Sequence, residues 1–83
     1  MAERDFKHLR IGGRYRVHKR FTDYDGQVHR EGETWTYLGH SFLPYDDGLT
    51  LNIDPGGAIR LQWRAEAQAA VIDDLESILW RVD

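Results

Sequence analysis

The sequence predicts a small α+β domain: a rolled antiparallel sheet or SH3-like barrel of four to five strands with one C-terminal helix. Three observations carry this. Short runs of alternating apolar residues recur between glycine-bearing turns, the last nineteen residues change to a helical period, and 83 residues suffice for one core only. A chain of this size buries about 60–65% of its unfolded surface. Three Trp, four Tyr and three Phe therefore predict an aromatic-rich core. Residues 1–83 are read as a single domain with a flexible segment at 1–8.

The first strand follows Gly13, where Tyr15, Val17 and Phe21 alternate onto one face. Thr22-Asp23-Tyr24-Asp25-Gly26 then supplies turn chemistry, with Asp side chains that bond local backbone and a Gly free to take positive φ. A second turn falls at Arg30-Glu31-Gly32. The β-branched and aromatic run from Glu33 to Leu38 reads as the next strand, and Gly39 marks a bulge or bend. Pro44-Tyr45-Asp46-Asp47-Gly48 is a turn. Leu49, Leu51 and Ile53 alternate as a third strand, Asp54-Pro55-Gly56-Gly57 ends it, and Ile59, Leu61 and Trp63 form a fourth.

Val71, Leu75, Ile78, Leu79 and Val82 then fall at i, i+4, i+7, i+8 and i+11, behind four alanines between 65 and 70. This spacing predicts one continuous helix near residues 65–80. A capping box at Asp73 and Glu76, starting a shorter helix, is the alternative. Trp80 lies about 140° from Leu75 on such a helix and so leaves the apolar stripe. It either seats a homodimer formed through the C-terminal helix, or packs as extended chain beyond a helix that ends by Leu79.

Net charge is −3, but residues 1–20 hold seven Lys/Arg against two acids, while residues 21–83 hold four against twelve. No cysteine is present, which excludes disulfides, thiolate ligands and a cysteine nucleophile. The charged N-terminus is unlike a signal peptide, and no apolar run approaches the roughly 18 residues of a membrane span. A cytoplasmic location is expected.

Four blocks have a distinctive wording: Gly13-Arg14-Tyr15-Arg16-Val17, then 21–26 (FTDYDG), 38–49 (LGHSFLPYDDGL) and 59–63 (IRLQW). Over roughly residues 9–78 they resemble a family of small bacterial proteins catalogued only as a domain of unknown function. The resemblance implies bacterial origin and a single domain, and it brings no catalytic residue, cofactor or partner with it. The strand pattern is also similar to SH3-like barrels, which says nothing of activity.

Catalytic and metal constellations are not legible. His8, His18, His29 and His40 lie ten or eleven residues apart, without chelate spacing, although folding brings His29 and His40 together if both line the central hairpin. Aligning Gly26 with the glycine of a calcium loop puts Phe21 and Gly32 at ligand positions that need oxygen donors. Ser41 and Ser77 lie in no nucleophile elbow. No catalytic residue, metal or cofactor is expected, and the chain reads as a non-enzyme.

The expected function is a small protein–protein interaction module. Its contact surface would comprise Tyr24, His40, Phe42, Pro44, Tyr45, Asp46 and Asp47, because a turn needs Pro, Asp and Gly but not the aromatics packed among them. The alternative is weak nucleic-acid binding through Arg14, Arg16, Lys19 and Arg20 on the first strand. Alternation places its aromatics, Tyr15 and Phe21, on the opposite face.

Overall fold

The computed structural model of the chain describes residues 5–43 and 47–82. They form an α+β fold built on an open, five-stranded antiparallel sheet, with a small hairpin and short helices laid against it. The strands are β1 (Arg14–Val17), β4 (Thr34–Leu43), β5 (Gly48–Asp54), β6 (Gly57–Gln62) and β7 (Leu79–Arg81). Their order in the sheet is β6-β5-β4-β1-β7. The hairpin pairs β2 (Phe21–Thr22) with β3 (Val28–His29). Because β6 and β7 are the two edges and do not pair, the sheet does not close into a barrel. Among the described residues no helix is long and apolar enough to cross a membrane.

Alternation decides the core as expected. Tyr15 and Val17 of β1, Leu49, Leu51 and Ile53 of β5, and Ile59 and Leu61 of β6 are buried, and their neighbours are turned outward. The largest fully buried side chains are Trp35, Tyr15 and Tyr37. The aromatic core is thus narrower than composition implies, since Tyr24, Phe42, Trp63 and Trp80 are all more than a third exposed.

Gly39 forms a bulge, with φ of +136° and a register shift between Tyr37 and Gly39. The extra residue changes which positions face inward. Before it, Trp35 and Tyr37 point to the core. After it, His40 pairs with Leu51 and Phe42 with Leu49, so the even positions take the inner face and Ser41 and Leu43 the outer one.

The C-terminal helix is interrupted. Helix α1 (Glu66–Asp73) stops at Asp74, whose backbone leaves the helical region at φ −105° and ψ 15°. A single turn, α2 (Leu75–Ile78), follows before the chain extends into β7. Two consecutive aspartates weaken the helix here, because their side chains compete for backbone hydrogen bonds. The buried residues are Ile72, Leu75, Ile78 and Leu79; of the other expected stripe members, Val71 is partly buried against the core and Val82 is exposed. The free edge of β1 completes the break: it pairs Tyr15 with Arg81, Arg16 with Trp80 and Val17 with Leu79. Trp80 therefore lies on a strand and not on the helix.

Of the segment expected to be flexible, residues 1–4 lie outside the described residues. Phe6 bridges to Leu9 and packs on the core, and His8 Nε2 donates to the Leu79 carbonyl at 2.6 Å. Asp5 accepts from the Ile11 N–H at 2.9 Å and from Arg10 Nη1 at 3.0 Å, and these bonds hold its carboxyl below the usual range. The turn ends at Gly13, where an added Cβ would lie 3.0 Å from both the Arg10 carbonyl and the Tyr15 ring. Tyr15 Oη cannot retreat readily, since it accepts from the Arg10 N–H at 2.7 Å and donates to the His8 carbonyl at 3.2 Å. Gly13→Ala is expected to cost about 1–3 kcal/mol by overpacking. Thermal unfolding should then fall by at least about 4 °C. An unchanged midpoint would show that this turn has room to move.

Candidate functional site

The hairpin of residues 21–29 is too short to hold itself, and three sets of bonds fix its place. Its backbone meets the outer edge of β6, where the Tyr24 N–H donates to the Arg60 carbonyl at 2.7 Å. Gln68 Nε2 of α1 donates to the Thr22 carbonyl at 2.8 Å. Beneath it lies a buried polar network.

In that network the His29 ring sits between two carboxylates. Nε2 is 2.8 Å from Asp23 Oδ2, and Nδ1 is 2.7 Å from Glu33 Oε2. Each ring nitrogen thus has a carboxyl oxygen within hydrogen-bond distance. Asp23 also accepts the Gln27 N–H at 2.9 Å, closing the turn, and Trp35 Nε1 donates to Glu33 at 3.2 Å. Phe21 stacks on the imidazole at a centroid distance of 4.8 Å. The Asp23 side chain is 1% exposed and that of His29 8%, while Glu33 reaches solvent. The arrangement ties the hairpin to β4. Both ring nitrogens of His29 are thus engaged within this network.

The hairpin tip carries Tyr24, which is 51% exposed. It forms one wall of an open cleft of about 620 Å³ over the outer face of β5 and β6. Thr50 faces Arg60 across the strands, and Gln62 faces Gly48. Leu43 reaches the cleft because the Gly39 bulge turned it outward, and Arg64 and Ala65 form the far wall. Among the described residues the charged lining groups are Arg60 and Arg64. Each meets a carboxylate: Arg60 Nη1 is 3.2 Å from Asp25 and Arg64 Nε is 3.0 Å from Asp47.

The predicted contact residues divide between two faces. Tyr24 lines the cleft and Asp47 stands at its rim through Arg64. Phe42 and His40 are on the inner face of β4. There Phe42 packs edge-on against Trp63 at 5.6 Å, and His40 lies against Phe6 at 4.8 Å. Pro44, Tyr45 and Asp46 lie outside the described residues. His40 Nδ1 is 3.2 Å from the Tyr37 hydroxyl, whose pKa is driven well above the ordinary tyrosine value by burial, and further by Asp5 and Tyr15. His29 and His40 are thus committed to different partners. Among the described residues no three His, Cys, Asp or Glu side chains are grouped to hold a metal.

Sequence reasoning missed Arg60, Arg64, Thr50 and Gln62. All but Arg64 alternate with core residues on strands and look like ordinary solvent positions. Asp23, His29 and Glu33 were missed as a unit, although an acid four residues beyond a histidine was a usable signal.

A family model, described as a domain of unknown function (DUF3601), matches residues 2–79. The chain belongs to the DUF3601 family. The match spans every element up to the start of β7. A solved structure of an integron cassette protein from the mobile metagenome of Vibrio cholerae is 30% identical, with a TM-score of 0.91. The alignment covers 98% of this chain and 93% of that one, so the two chains share one overall fold. No curated protein matches the chain.

Proposed function

We propose that this DUF3601 protein is a small bacterial, cytoplasmic binding module that takes an acidic segment of another protein into the Tyr24 cleft. The observation that carries the reading is the charge of the cleft, whose ionic lining groups among the described residues are Arg60 and Arg64. Guanidinium groups recognise carboxylates with up to two parallel bonds, and from the rim Asp25 accepts one bond from Arg60 and Asp47 one from Arg64. An incoming acidic segment would exchange with these exposed pairs at little cost, because surface ion pairs are worth only about 0–1 kcal/mol. Tyr24 supplies a rigid amphipathic anchor on a hairpin pinned from below by His29.

A peptide array of fixed length and graded glutamate content, read by fluorescence polarisation, tests this. Acidic peptides should bind, and Tyr24→Ala and Arg60→Ala should each weaken them by about tenfold or more while leaving the melting midpoint unchanged. Preference for basic peptides, or full binding by both variants, would refute the reading.

A further inference from the structure

The opposite edge of the sheet carries a second surface. Residues 14–20 hold four cations and no acid. Arg14, Arg16, Lys19 and Arg20 are all exposed, and β1 alternation sends the first two outward, away from buried Tyr15 and Val17. By itself this strand lacks an exposed aromatic, because Tyr15 and Phe21 belong to the core.

The broken helix supplies one. Pairing of β7 with β1 sets Trp80 directly across from Arg16, and residues directly opposite share a face. The Trp80 indole stacks on His18 with ring centroids 3.6 Å apart and planes 13° from parallel. Trp80 is nevertheless 50% exposed, so with one face of the ring on His18 the other is left to solvent. Alongside runs a shallow groove of about 330 Å³ whose lining includes Arg16, His18, Gly32 and the acid Glu31. Arg14 is oriented by its bond to Thr34 Oγ1 at 3.3 Å.

We propose that the outer face of β1 and β7 binds single-stranded nucleic acid, with one base stacked on the open face of Trp80 and phosphates held by Arg14, Arg16 and Lys19. Flat π-faces and a row of negative charges are the two features that this surface answers together. An acidic peptide answers only the charge, and a duplex hides its bases while no element here projects into a groove. Three or four phosphate contacts predict modest, salt-sensitive affinity. The site is independent of the Tyr24 cleft and shares no residue with it.

The test uses the whole chain and a labelled oligothymidylate of about fifteen nucleotides, followed by anisotropy and by indole quenching. Binding is expected at about 50 mM salt, with log K falling against log salt at a slope of roughly −2 to −3. Trp80→Ala should weaken it by about tenfold or more, and Trp80→Phe should retain most of it. Arg16→Gln should make the slope shallower by about 0.7. Absence of binding at low salt would overturn the proposal. So would unchanged affinity in Trp80→Ala, or equal displacement by poly-glutamate, which would reduce the surface to a general cation patch.

Discussion

Replacing His29 with leucine is expected to destabilise the protein by about 3–5 kcal/mol, the cost of leaving a buried carboxyl group without its partner. Asp23 is the member left behind. Its side chain is 1% exposed, and without His29 its remaining hydrogen-bond partner among the described residues is the Gln27 N–H. A domain of this length has about 4–12 kcal/mol of stability in total, so the loss takes a large share of it. Glu33 reaches solvent and can rehydrate, so Glu33→Gln should cost only about 1 kcal/mol. Urea denaturation of both variants gives the comparison. Adding Asp23→Asn to the His29→Leu protein should restore part of the loss, because a buried amide costs less than a buried carboxylate. A loss below about 1 kcal/mol for His29→Leu would show that water already reaches Asp23. The hairpin carrying Tyr24 depends on this network, so the functional tests above leave His29 intact.

Leu79→Ala should cost about 2–5 kcal/mol, whereas Trp80→Ala, one residue on, should cost within about 0.5 kcal/mol. Leu79 is fully buried beside Val17, and Trp80 is half exposed on the other face of the same strand. Opposite fates for neighbours are the signature of extended chain, since successive side chains alternate across a sheet. Similar losses at the two positions would argue against the pairing of β7 with β1. The small stability effect at Trp80 also makes its alanine variant a clean probe of the nucleic-acid surface.

Much of the fold was legible because it rests on local rules. Alternation identified Tyr15, Val17, Leu49, Leu51, Ile53, Ile59 and Leu61 as inward positions, and Gly39 marked the bulge. The helix was read as too long because periodicity counts apolar residues and ignores competition. From Leu79 onward the chain can continue a helix or pair with β1, and both solutions bury Leu79. The candidate sites were legible only in part. Tyr24 was singled out as an aromatic at a turn, but Arg60, Arg64 and Trp80 gain meaning from neighbours far away in the chain.

By itself the sequence determined the class of the domain, the inner face of most strands, the turns and the DUF3601 wording, since each depends on residues a few positions apart. Only the tertiary structure decided which strands meet, that the sheet stays open, and that Asp23, His29 and Glu33 share one buried network. It also decided that His40 and Phe42 turn inward while Leu43 turns out, and that Trp80 lands among the arginines of β1. The physical reason is common to all of these. A one-residue shift of register or an unpaired strand edge changes which side chains share a face, and that choice is made by the energy of long-range pairing.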